Sequence, residues 1–155
     1  MDKEYKIKEY ESIIRYLKEL IIHNAGLIAN LANISALLNQ YLSDINWVGF
    51  YLVQNEELIV GPFQGLPACT IIRKGRGVCG KSWETNKTIV VDDVHSFSDH
   101  IACDCNSKSE IVIPIHSKDE MVGVLDIDSP YIGRFEKIDK DNLEKIVLII
   151  EKMIF

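Results

Sequence analysis

The hydrophobic spacing changes period twice along this 155-residue chain, and no other feature restricts its fold as strongly. From Lys6 to Ile22, Ile7, Tyr10, Ile13, Ile14, Leu17 and Ile21 recur at three- and four-residue steps, the spacing of one helical face. From Gly26 to Leu42, Leu27, Ile28, Leu31, Ile34, Leu37, Leu38 and Tyr41 repeat the pattern. The spacing then changes to that of strands. Asn46 to Val53 is rich in aromatic and β-branched residues, and Leu58 to Val60, Ala68 to Ile72 and Thr88 to Val91 read as further strands. Gly61 to Gly65 reads as a loop, Val78 to Asn86 as a short helix and Asp92 to Ser109 as a long polar loop. Ile111 to His116 and Met121 to Ile127 flank the polar Ser117-Lys118-Asp119-Glu120, a hairpin signal. Helical spacing returns from Asp139 to Met153. This order predicts an α+β sandwich, an antiparallel sheet with helices packed on one face. With no repeat and no linker tract, residues 1–155 read as one domain.

Seventeen basic and 23 acidic side chains leave a formal charge of -6, and the basic ones are scattered. A nucleic-acid partner is therefore not expected, because phosphate binding needs clustered Lys and Arg. The first residues are charged and lack the apolar core of a secretory signal. No apolar run reaches the roughly 18 residues that span a bilayer. A cytoplasmic protein without a membrane partner is expected. In a reducing compartment, Cys69, Cys79, Cys103 and Cys105 read as reactive thiols or metal ligands rather than structural staples.

Cys79 lies at the start of a predicted helix, where unpaired N–H groups favour a thiolate. Cys103 lies in the long polar loop after His100, a setting that favours reactivity. Cys69 on its own reads as a small buried hydrophobe. Cys103 and Cys105 with Cys69, Cys79 or His100 would make a zinc set, but the chain has no C-x-x-C or H-x-x-x-H pair. No metal and no cofactor are expected. The carboxylates form a second group. Asp126 and Asp128 stand two apart at the end of a strand and so share a sheet face, while Glu110 enters the partner strand. Alone, Asp128-Ser129-Pro130 would pass for a turn.

Several segments together resemble the free methionine-(R)-sulfoxide reductases, enzymes built on a GAF domain. They are Asn46-Trp47-Val48-Gly49-Phe50-Tyr51, Gly61-Pro62-Phe63-Gln64-Gly65, Ala68-Cys69 and Gly75-Arg76-Gly77-Val78-Cys79-Gly80. Asp93-Val94-His95, His100-Ile101-Ala102-Cys103-Asp104, Ser109-Glu110-Ile111-Val112 and Gly123 through Ser129 continue the match in order. The likeness runs from about residue 5 to the end.

The resemblance implies a GAF-like fold and a thiol-dependent oxidoreductase acting on free methionine sulfoxide. By position, Cys103 matches the attacking cysteine, Cys69 the usual resolving one and Cys79 a third that assists or substitutes. Glu110, Asp126 and Asp128 would surround the substrate, with Trp47 and Tyr51 walling the pocket near its methyl group. A thioredoxin-type reductant and a homodimer formed through the N-terminal helices are also implied. Cys105 stands where the family more usually has no thiol, so which disulfide forms stays open. The alternative is a stand-alone GAF domain that binds a small ligand as a sensor, since one fold hosts both roles.

Overall fold

A computed structural model describes residues 2–99 and 106–155. Two helices open the chain, α1 (Lys3–Leu20) and α2 (Leu27–Tyr41). The Asp2 side chain caps α1 by accepting from Glu4 N at 3.3 Å. Between the helices Gly26 takes φ +86°, a conformation that favours glycine. Asn30 ties the junction together: its Oδ1 accepts from Ile22 N (3.0 Å), and its Nδ2 donates to Ile22 O (2.9 Å) and Gly26 O (3.0 Å).

Six strands follow: β1 (Trp47–Gln54), β2 (Glu57–Gly65), β3 (Ile71–Arg73), β4 (Ile89–Val91), β5 (Ser109–Ser117) and β6 (Glu120–Ser129). They form one antiparallel sheet in the order β3-β2-β1-β6-β5-β4. A short helix, α3 (Gly77–Thr85), separates β3 from β4, and α4 (Lys137–Ile154) closes the chain.

Side-chain alternation gives the sheet two apolar faces. Val48, Phe50, Leu52, Ile111, Ile113, Ile115, Leu125 and Ile127 pack against α1, α2 and α4 in the larger core. Burying each such side chain contributes about 1.5–3 kcal/mol. The other face sends Trp47, Tyr51, Val112 and Val124 against Val78 and Cys79 of α3. The expected α+β sandwich is therefore present, with the three long helices on one side. The short α3 covers the opposite face, because it follows directly from β3 at the sheet edge and turns back over it. Glycine permits that return: a Cβ on Gly80 would run into the carbonyl oxygen of Arg73.

Two local assignments change. Gly61 to Gly65, expected as a loop, belongs to β2, since a bulge takes up Pro62, which cannot donate to the ladder. The Pro62 carbonyl instead accepts from Ser35 Oγ of α2 at 3.0 Å. Cys69 precedes β3 rather than lying within a strand.

A buried ionic cluster joins α1 to α4. Asp139, fully buried, accepts from Lys6 Nζ (3.0 Å), Tyr10 Oη (2.8 Å), Arg134 Nη1 (3.0 Å) and Glu136 N (2.9 Å). Among the described residues, no helix is long and apolar enough to cross a membrane.

Candidate active site

The strand register builds this site. β6 places Asp126 beside Gly49 of β1 and Val112 of β5, and Asp128 beside Trp47 and Glu110. These positions lie on the sheet face covered by α3, so Glu110, Asp126 and Asp128 converge at one end of three neighbouring strands. Cys79 reaches the same place from α3. One donor atom from each of Cys79, Glu110 and Asp126 lies within 4.8 Å of the others, and all three residues are buried. Asp128 is half-buried.

Burial among like charges governs the electrostatics. Glu110 is pushed well above the usual carboxyl range by burial, then by the charges of Asp126 and Asp128 and a hydrogen bond to Asp126. Asp126 is raised to about 6 by burial, partly offset by hydrogen bonds from Cys79 and Glu110. Both carboxyls are thus biased toward their protonated forms, as a buried pair that shares its charge. Burial also drives Cys79 up, followed by the neighbouring carboxylates. The lowered thiol pKa expected from its helix position does not survive, because desolvation and three acidic neighbours outweigh a partial charge at a helix end. Asp126 Oδ1 has no hydrogen-bond partner.

Aromatic rings wall the adjoining region. Trp47 stacks on Phe63 (centroids 5.0 Å apart, planes at 19°) and on Tyr51 (5.9 Å, 27°). Trp47 Nε1 donates to Leu66 O at 3.1 Å, and Tyr51 Oη donates to Cys69 O at 3.0 Å. Glycine makes the stack possible: a Cβ on Gly49 would overlap that of Phe63, and one on Gly65 would lie 2.5 Å from Trp47 Cδ1. Sequence reasoning did not single out Phe63 as a site residue. Its only signal was its place between two glycines opposite the Trp47–Tyr51 strand. Cys69, half-buried, is disulfide-bonded, whereas Cys79 is a free thiol. Cys103 and Cys105 lie outside the described residues.

The arrangement is a buried acidic cluster with an aromatic wall beside it. It suits a small ligand carrying an ammonium and a neutral, polarisable group. One carboxyl can donate a proton while its neighbour stays charged.

Comparison with known proteins places this geometry among relatives. The model of the GAF domain family matches residues 26–153. The free methionine-R-sulfoxide reductase of Escherichia coli strain K12 is 46% identical over 149 residues, covering 96% of this chain and 90% of that protein. The structure of fRMsr of Staphylococcus aureus in complex with substrate superposes with a TM-score of 0.89 at 53% identity, covering 94% of this chain and 95% of that one. The structure of free methionine-R-sulfoxide reductase from Neisseria meningitidis, also in complex with its substrate, gives a TM-score of 0.87 at 40% identity, covering 99% and 90%.

Proposed function

The chain belongs to the free methionine-R-sulfoxide reductases of the GAF-domain family, and from that premise we propose that it reduces free L-methionine-(R)-sulfoxide to methionine. The observation that carries the reading is the buried trio of Cys79, Glu110 and Asp126 beside the Trp47–Tyr51–Phe63 stack. It sets carboxyls biased toward their protonated forms beside a thiol and an aromatic wall.

In the proposed cycle the Cys103 thiolate attacks the sulfoxide sulfur. Glu110, whose burial among acids favours the protonated form, gives its proton to the departing oxygen, and Asp126 and Asp128 bind the substrate ammonium. Trp47 and Tyr51 contact the methyl end. The protonated oxygen passes to the Cys103 sulfur as the substrate sulfur–oxygen bond and the new sulfur–sulfur bond break, which releases methionine and leaves Cys103 as a sulfenic acid. The Cys69 thiol condenses with it, water leaves and a disulfide remains. A thioredoxin-type dithiol then reopens that disulfide by exchange and is itself oxidised. Cys79 serves as an auxiliary thiol. Recognition of both the ammonium and the side chain favours the free amino acid over a methionine within a chain.

We place the enzyme in the cytoplasm as a single domain acting as a homodimer. The exposed Tyr5, Ile7 and Ile28 on α1 and α2 offer an apolar contact for a second copy, and light scattering at working concentration checks the mass. The central test is turnover of free L-methionine-(R)-sulfoxide with thioredoxin and its reductase. Wild-type protein should turn over and Cys103→Ser should not. Equal rates would remove the nucleophile; binding without turnover in wild type would favour the sensor reading.

A further inference from the structure

Three groups that bind metals as anions meet inside this protein: a thiol from α3, a carboxyl from β5 and a carboxyl from β6. We propose that Cys79, Glu110 and Asp126 also form a binding site for one zinc-class divalent cation. These residues differ from the cysteine-rich set weighed on sequence grounds. They come from three elements packed on one sheet face, so the fold itself assembles them. Their donor atoms already lie within 4.8 Å of one another, and each residue is buried. Zinc–sulfur and zinc–oxygen bonds of about 2.3 and 2.0–2.2 Å need donors roughly 3.5 Å apart around a tetrahedron.

A second observation points to a missing ligand. Asp126 is 6% exposed, yet its Oδ1 has no hydrogen-bond partner, although its carboxylate takes hydrogen bonds from Cys79 and Glu110. A buried acceptor left unsatisfied is destabilising, and a cation would satisfy it. The donor set selects the ion. One sulfur and two carboxylates suit zinc and its borderline-soft neighbours, whereas magnesium and calcium require six or more oxygen ligands. Three protein ligands leave a fourth position open. As the ion enters, the thiol and Glu110 release their protons to solvent and coordinate as anions.

The cation would occupy Asp126, assigned above to the substrate ammonium, and Glu110, assigned to the departing oxygen, so metal and substrate exclude each other. This consequence alone rests on the proposed function. The binding test does not. In protein carrying Cys69→Ser, Cys103→Ser and Cys105→Ser, Cys79 is the sole thiol, and cobalt(II) should bind one-to-one with a thiolate-to-metal charge-transfer band. Adding Cys79→Ser should abolish the band; adding Asp126→Asn or Glu110→Gln should weaken binding at least about tenfold, as loss of a ligand does. Circular dichroism verifies the fold. If the triple variant does not fold, the wild-type spectrum minus that of Cys79→Ser should show the same band. No band with millimolar cobalt, or a band indifferent to both carboxylate changes, overturns the site. In wild-type turnover assays zinc should raise KM for methionine sulfoxide without lowering kcat. A fall in kcat alone overturns the competition while leaving the binding result to stand.

Discussion

Two buried charged clusters sit on opposite faces of one sheet, and they resolve the same physical problem in opposite ways. At the α1–α4 contact, burial pushes the Asp139 carboxyl up, but the Glu136 amide, Tyr10, Arg134 and Lys6 outweigh it and hold its pKa below the usual value. On the other face, Glu110 and Asp126 are equally buried but meet each other and Cys79, and both rise. A carboxylate enclosed by cations and donors is a structural fastening. Carboxyls enclosed by more acids favour their protonated forms and here leave Asp126 Oδ1 without a hydrogen-bond partner, and a cluster of such perturbed groups is a mark of function. The contrast teaches that burial alone says little; the sign of the neighbours assigns the role.

Four changes would break or sharpen this contrast, in falling order of effect. Glu110→Gln removes the proton donor and should lower kcat about a hundred- to ten-thousandfold, as loss of a general acid does, while the melting temperature near neutral pH rises rather than falls because the raised carboxyl no longer titrates. Asp139→Asn strips the fastening of its charge and should destabilise the fold by about 3–5 kcal/mol, because Lys6 and Arg134 lose their buried partner. Denaturant unfolding measures it, and kcat per folded molecule should stay within about twofold. If activity falls in parallel, the clusters are not separate.

Asp126→Asn should act in the opposite direction on stability. A carboxyl raised from 3.8 to about 6 contributes stability that is fully present below its unfolded value and lost as pH rises through its folded one. The variant should match wild type near pH 4 and exceed it by up to about 3 kcal/mol above pH 6. Asp139, with its pKa lowered, works the other way: its stabilisation is present above the unfolded value near 3.8 and disappears as pH falls below it. A stability difference independent of pH would refute the assignment of Asp126. Tyr51→Phe is the mildest change. It deletes the hydrogen bond to the Cys69 carbonyl, at a cost of about 1 kcal/mol, and should slow disulfide formation more than methionine release in rapid-quench assays.

The sequence displayed much of this fold. The β5–β6 hairpin followed from alternation around Ser117-Lys118-Asp119-Glu120, and Pro114 did not obscure it because β4 pairs only residues 110–112 of β5. The end of β2 was hidden because Gly61-Pro62 looks like a strand breaker, and only the bulge against β1 shows how it pairs. Glu110, Asp126, Asp128, Trp47 and Tyr51 stood out as candidates, whereas Phe63 was masked by the same misread loop. The fastening was not legible either. Lys6 and Asp139 look like ordinary surface charges on two helices 133 residues apart, and nothing local marks them as buried.

What the chain order alone determined was which residues share a face, because periods of 3.6 and 2 are properties of the backbone and need no distant contact. What only the tertiary structure decided was the chemical character of those faces. Whether a carboxyl holds or releases its proton depends on the charges and water within a few ångströms. Those neighbours reach Glu110 and Asp126 from α3 and from adjoining strands, and only the completed packing brings them there.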